Sequence, residues 1–479
     1  MIRKLAKTIG IAFDLLLAVL YALSTTWPDP ELWHEVKLDA EFDRGKLDEV
    51  ASFKAYLDLE DALFRELEEE VYSKTASGDD HRFERFSSGS AADPTSRDPN
   101  WNRSFELTVA EPRGGVLLLH GMSDSPYSLR AIGKAMHARG YQVLGLRLPG
   151  HGTAPSGLLS VHWQDMAAAV QLAMEHLGEQ LPGKPLHIMG YSTGAPLALH
   201  YSLDAEQNDS LPAPASLVLL SPAIGISPAA ALASWNRRLS LLPGLGHLAW
   251  LDMLPEFDPY KYNSFATNAG EQVHLLTQSV GSRIATRAAN NPAPMPPILL
   301  FKSTVDATVT NSAIVDRLLN HLLPQRHELV LFDINRRGAN ASLLVSDPGP
   351  FTNQLMARSD LPFTLTVIAN ANAESTEVVA RRTLPLTELP GPDEALNASW
   401  SRAMLSLSHI ALPFPPDDPL YGRSSPEIEN EIFLGHVSIQ GERGLLRFPS
   451  DWLIRLRHNP FYDYTLERIV EWVDANNES

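Results

Sequence analysis

From Gly115 onward the apolar residues fall into short unbroken runs, separated by longer stretches with helical spacing. Gly115-Val116-Leu117-Leu118-Leu119 is apolar without alternation and closes on His120-Gly121, the pattern of a strand buried on both faces. Tyr141 to Arg147, Pro185 to Met189, Ser216 to Ser221 and Ile298 to Lys302 repeat it. Between them, Ser128 to Arg139 has a helical pattern, and Met166, Val170, Met174 and Leu177 form one stripe of a second helix. Buried strands alternating with helices predict an α/β fold, with a mostly parallel central sheet and helices on both faces. Such sheets bind ligands beyond the carboxyl ends of their strands.

Two stretches break this rhythm. Residues from about 224 to 297 carry Trp235, Leu241, Leu242, Leu245, Trp250, Leu251, Met253 and Leu254 among prolines and glycines. This composition suits a helical cap over a substrate pocket, or an extra packed helical layer. A second insertion, about 335 to 401, contains strand-like segments such as Phe363 to Ile368 and no evident chemistry. Upstream, Val50, Phe53, Leu57, Phe64, Leu67 and Val71 form a heptad-like stripe interrupted at Glu60, which predicts a helix packed on the body or a short stalk. Glu66, Glu68, Glu69 and Glu70 read as its solvated face. The expected organisation is an N-terminal segment (1–30), a helical extension (31–80) and one catalytic domain (81–479).

The segment Met189-Gly190-Tyr191-Ser192-Thr193-Gly194-Ala195 follows one of the buried runs and precedes a helical one. Strand, sharp turn and helix around G-x-S-x-G form the context of a nucleophile elbow, which makes Ser192 the candidate nucleophile. A serine hydroxyl needs a base to take its proton, and the base needs a carboxylate to hold its tautomer. On this architecture the acid and base follow the serine in that order, and the acid sits past a late strand. Asp306, just beyond the Ile298 run, fits. For the base, order alone leaves His409 and His436 open. His409 is preferred, because it ends the strand-like run Arg402 to Ser408 just before the turn Pro413-Phe414-Pro415-Pro416; His458 is a weaker third. Elbow geometry assigns the oxyanion donors to the backbone N–H groups of Thr193 and Met122.

Composition narrows the possibilities further. The chain has 479 residues, a formal net charge of −18 and a pI near 5.3, so a nucleic-acid backbone would be repelled. It has no cysteine, which excludes disulfides, thiolate catalysis and a lipoprotein anchor. His120, His151, His162, His187 and His200 lack metal-ligand spacing and read as structural or oxyanion-loop positions. Asp417 and Asp418, set among prolines, read as turn residues rather than a catalytic pair. The basic start Arg3-Lys4-Leu5-Ala6-Lys7 and the apolar run from Ile9 to Leu23 suit a signal peptide or an uncleaved signal anchor, although Asp14 lies inside the run. Membrane association through this segment, with the catalytic domain exported, is the expectation over a cytoplasmic location; a helix packed on the protein is the alternative.

Taken together, Leu119-His120-Gly121-Met122, Leu148-Pro149-Gly150-His151-Gly152-Thr153 and Gly190-Tyr191-Ser192-Thr193-Gly194 resemble the α/β-hydrolase superfamily. The resemblance is to its capped bacterial carboxylesterases and monoacylglycerol lipases, and to the serine aminopeptidase-type hydrolases. It spans about residues 110–335 and resumes near His409. It implies a Ser-Asp-His triad, no cofactor or metal, a lid over an acyl pocket, and a small-molecule or lipid ester as substrate. Ser408-His409-Ile410-Ala411 is similar to the family's pattern around its base, and so is Gly435-His436-Val437. The departure is the interval of about a hundred residues between Asp306 and His409, where the family needs far fewer. An amide or peptide hydrolase with the same triad, or a non-catalytic binding protein on the same fold, are the alternatives.

Overall fold

The computed structural model describes residues 28–225, 240, 245–290, 295–306, 311–324, 326–337, 344–345, 347–387, 390–400, 404–424, 432–435 and 457–477. The N-terminal segment expected over 1–27 therefore lies outside the described residues, as does His436. Among the described residues no helix is long and apolar enough to cross a membrane.

The buried runs form one sheet. Its strands are β1 (Phe105–Leu107), β2 (Gly115–Leu119), β3 (Gln142–Leu146), β4 (Leu186–Tyr191), β5 (Ser216–Leu220), β6 (Ile298–Ser303), β7 (Glu328–Phe332), β8 (Thr364–Asn370), β9 (Glu377–Thr383) and β10 (Glu394–Ser399). Their spatial order is β1-β3-β2-β4-β5-β6-β7-β8-β9-β10. The stretch from β3 to β8 is parallel, while β1 at one edge and β9 and β10 at the other run antiparallel.

Successive residues of a strand point to opposite faces, so an unbroken apolar run needs cover on both sides. Helices supply it. They are α1 (Phe53–Glu70), α2 (Arg130–Ala138), α3 (Trp163–Gln180), α4 (Gly194–Ala205), α5 (Thr267–Ala289), α6 (Asn311–Arg317), α7 (Gly349–Met356) and α8 (Tyr462–Ala475). Leu117, Leu119, Ile188, Leu217 and Leu300 pack with α3, α4 and α5 on one face. Val116, Leu118, Met189, Val218 and Phe301 pack with α2 and α8 on the other.

The two insertions become concrete. Within 224–297, Trp250–Asp252 pairs antiparallel with Phe265–Ala266, and α5 then packs on α3 and α4 as a sheet-covering helix. Of the apolar residues assigned to the cap, Trp235, Leu241 and Leu242 lie outside the described residues, while Leu245, Trp250 and Met253 are buried and Leu251 and Leu254 are exposed. Within 335–401, β8 extends the sheet in parallel from β7, and β9 and β10 follow as a meander. The strand-like reading of 402–408 is corrected over 404–408, residues 402 and 403 lying outside the described residues. Met404 makes an isolated bridge and residues 405–408 are irregular, held because the Asn335 side chain donates to the Met404 carbonyl at 2.8 Å and the Asn335 N–H to that of Leu405 at 2.8 Å.

The extension docks through α1. Ser52 caps it by accepting from Ala55 N–H at 3.2 Å, and Phe53, Tyr56, Leu63, Phe64 and Leu67 line its buried face. Glu60, the interruption in the sequence stripe, is buried there as well. Its carboxylate accepts from Arg147 Nε at 3.0 Å and from the N–H and Oγ of Ser104, both at 2.9 Å. Arg147, at the end of β3, is fully enclosed and also reaches Glu41. A buried charge is tolerated when it is paired in this way, and stripping one partner costs about 3–5 kcal/mol.

Several histidines are buried as neutral rings. His327 accepts from Ile298 N–H through Nδ1 at 3.2 Å, and burial pushes its pKa down from 6.5 to about 4. The folded state resists protonation while the unfolded chain does not, so the contribution of His327 is fully present above pH 6.5 and is lost as pH falls toward 4. Burial holds His34, His151 and His187 near 4 in the same way. The opposite slope comes from Asp124 and Glu256, which burial pushes up to about 7. We therefore expect His327→Asn, which keeps an acceptor for Ile298, to flatten the acid side of the stability curve. Chemical denaturation at pH 7 and pH 5 should show the variant losing about 1–2 kcal/mol less than the parent between the two. Equal losses would mean that the fold leaves the His327 pKa where the unfolded chain has it.

Candidate active site

The elbow is built by sterics. Ser192 sits between the end of β4 and the start of α4 with φ of +51°, a left-handed conformation that costs a non-glycine residue on the order of 1–3 kcal/mol. Three backbone hydrogen bonds hold it: Ser192 N–H donates to Leu220 at 2.9 Å, and its carbonyl accepts from Ala223 at 3.0 Å and Ala195 at 3.2 Å. The flanking glycines are required by contact. A Cβ on Gly194 would stand 2.1 Å from the Leu119 carbonyl oxygen, and one on Gly190 would stand 2.5 Å from the Gly194 backbone.

Across from the serine, the loop after β2 passes close enough that a Cβ on Gly121 would come 3.1 Å from Ser192 Cβ. This loop carries Met122. Among the described residues, neither the Met122 nor the Thr193 N–H donates to a backbone carbonyl. His120 orients the Gly121–Met122 peptide. Its Nε2 accepts from Leu148 N–H at 3.0 Å, so the proton sits on Nδ1, which donates to the Gly121 carbonyl at 2.8 Å. Fixing that carbonyl fixes the opposite direction of the Met122 N–H, because both belong to one planar peptide. Burial and the neighbouring His151 ring hold the His120 pKa well below its ordinary value, which preserves this tautomer.

Asp306 follows β6 and is buried. Nδ1 of His409 stands 3.6 Å from its Oδ1, an ion-pair distance rather than a hydrogen bond. His409 opens a short 3₁₀ turn, His409–Ala411, and its ring centroid lies 6.2 Å from that of Tyr191, the residue before the serine. The turn is anchored from α8: Asn459 donates through its side chain to the Leu412 carbonyl at 3.3 Å, and its N–H donates to the Phe414 carbonyl at 2.8 Å. His458 is buried instead against the Tyr421–Gly422 backbone.

The other polar candidates have structural partners. His151 bonds the Pro149 carbonyl, His187 the Ser216 hydroxyl, and His200 pairs with Asp204. His162 caps α3 with Asp165. Asp418 is more than a turn residue, because its buried carboxylate meets Arg130 and the Tyr127 hydroxyl, each at 3.0 Å. Sequence reasoning passed over Lys302, whose Nζ lies 2.5 Å from Asp306 Oδ2. The signal was a charged residue at the end of an otherwise apolar strand.

Residues 110–333 match the family model described as Serine aminopeptidase, S33. Together with the order of the sheet, this match gives the chain an α/β-hydrolase fold. Over 86 residues it is 33% identical to the thermostable monoacylglycerol lipase of Bacillus sp., a stretch covering 18% of this chain and 34% of that enzyme. The match thus spans about a third of that relative's length. Solved structures similar to this chain include a monoacylglycerol lipase of Paleococcus ferrophilus, at 19% identity and TM-score 0.37 over 48% of this chain and 88% of that one. Another is a soluble variant of the monoglyceride lipase of Saccharomyces cerevisiae, at 17% identity and TM-score 0.37 over 48% of this chain and 82% of that one.

In this fold the geometry around His120 makes a specific demand. His120→Phe keeps the ring but loses both hydrogen bonds, so the Gly121–Met122 peptide is free to tilt. Covalent capture of Ser192 by a fluorophosphonate should slow by about tenfold or more, since loss of an oxyanion donor costs 10²–10³ and tilting one costs less. His187→Phe, a comparably buried substitution at the far end of β4, should lower the melting temperature and leave the capture rate unchanged. Equal capture by both variants would mean that His120 does not position the Gly121–Met122 peptide.

Proposed function

We propose that this chain is a serine hydrolase that cleaves carboxylic esters through a covalent acyl-enzyme. Ser192 attacks the acyl carbonyl, His409 takes its proton and returns it to the leaving alcohol, and Asp306 orients the imidazole and offsets its charge. The Met122 and Thr193 N–H groups receive the oxyanion. The observation that carries this reading is the convergence at the sheet's carboxyl end. His409 is about a hundred residues from Asp306 in sequence, yet it stands 3.6 Å from that carboxylate and beside the residue preceding Ser192.

The apolar composition of residues 224–297 and the likeness to a monoacylglycerol lipase favour a hydrophobic acyl chain, as in a monoacylglycerol or lysolipid. The serine aminopeptidase model favours an amide or peptide as the second reading. The apolar segment from Ile9 to Leu23 is proposed to bring the domain to a membrane or export it, and a reporter fused at residue 30 tests this: activity confined to the cytosol refutes it.

Ser192→Ala should abolish both fluorophosphonate labelling and hydrolysis of p-nitrophenyl esters. His409→Ala should lower kcat by about 10⁴-fold or more, as removal of a triad member does, while His436→Ala should have little effect. The reverse order would transfer the base to His436. A panel of p-nitrophenyl esters of increasing chain length, run beside aminoacyl anilides, decides the substrate class. Turnover of anilides above all esters would overturn the ester reading.

A further inference from the structure

The acid assigned above is shared with a second cation. Lys302 is the penultimate residue of β6, its side chain is wholly buried, and its ammonium lies 2.5 Å from Asp306 Oδ2. The other oxygen, Oδ1, is the one that faces His409. Lys302 and His409 both stand within ion-pair distance of Asp306. From β4 the titratable side chain facing His409 is Tyr191, at 6.2 Å between ring centroids. The next carboxylate along, Asp333 beyond β7, is held by Arg336 at 2.9 Å.

We propose that Lys302 is a positioning residue for the hydrolytic site: it locks the Asp306 carboxylate with Oδ1 toward His409 and tempers the attraction of that carboxylate for an imidazolium. The inference rests on the roles given to Asp306 and His409 under Proposed function. A carboxylate buried beside a histidine with no other cation favours the charged imidazolium at rest, and an imidazole that already holds a proton cannot accept one from serine. With Lys302 present, the resting trio of ammonium, carboxylate and neutral imidazole is electrically balanced. The proton that arrives from Ser192 then creates a net positive charge, which favours its onward transfer to the leaving group. The balance comes from a residue on the strand itself, four positions before the acid, so it requires no movement of the loop.

The test is the pH dependence of kcat/KM on a p-nitrophenyl ester. Lys302→Met removes the charge while keeping an unbranched side chain, and Lys302→Gln, which retains a donor, serves if the first does not fold. Either neutral variant should move the acid limb upward by about one pH unit, because the imidazolium is no longer opposed by a neighbouring cation. It should also lower kcat more than it raises KM. Lys302→Arg, which keeps the charge, should restore the limb toward that of the parent. A limb that coincides with the parent's in a folded neutral variant overturns the proposal. Asp306→Asn separates the two readings: it should cost about 10⁴-fold in kcat. If it does, and the neutral Lys302 variants leave the limb in place, the triad stands and the role of Lys302 falls. If Asp306→Asn is active, the assignment of the acid falls first.

Discussion

The contact on which the site depends is the one between Gly194 and the carbonyl of Leu119. There is no room for even one carbon, because a Cβ on Gly194 would lie 2.1 Å from that oxygen. The first turn of α4 can therefore sit directly on the end of β2. This close approach sets two otherwise separate things at once: the exit of Ser192 from β4 in a left-handed conformation, and the path of His120-Gly121-Met122 over it. Ser192 and the loop that faces it share one steric constraint. The hydrogen bonds from Leu220, Ala223 and Ala195 then hold the strained residue in place.

A second tier of contacts carries this constraint outward to the N-terminal extension. His120 spans from the Gly121 carbonyl to the N–H of Leu148, which begins the loop after β3. The residue before Leu148 is Arg147, whose guanidinium is clamped by Glu60 and Glu41 and whose carbonyl accepts from the Tyr56 hydroxyl at 2.6 Å. The extension therefore bears on the floor of the loop that carries Met122 through one buried arginine. In a medium of low dielectric such charges cannot be left half-paired, which gives the extension a fixed seat rather than a loose tether.

How much of this was legible in the sequence depended on the range of the physics involved. The sheet was legible because burial on both faces forces an unbroken apolar run, and each such run from Gly115 to Lys302 is a strand. Ser192 was legible because the elbow is made by neighbours in sequence. Glu60 was misjudged as an interruption of the stripe on α1, because the partner that makes its burial tolerable, Arg147, lies 87 positions away. Lys302 was passed over for a related reason: an apolar strand gives no hint that its terminal charge has a destination. The run before His409 looked like a strand by composition, but its backbone groups pair with Asn335 instead of with a neighbouring ladder.

The long interval between Asp306 and His409 is the last feature that needs a physical account. Closing a longer loop costs only about 0.6 kcal/mol per doubling of length, so the interval is not in itself a barrier. What matters is whether both ends are held, and they are. β8 joins β7 in parallel register, β9 and β10 return antiparallel, and the chain comes back toward β7 where Asn335 bonds Met404 and Leu405. From there the 3₁₀ turn that carries His409 is pinned by Asn459 at the foot of α8. The extra residues therefore widen the sheet at the edge away from Ser192 and return their end to where a short connection would have left it. Because the added strands are bonded into the sheet, the order carried by β7 passes to His409 through hydrogen bonds rather than through the intervening length of chain.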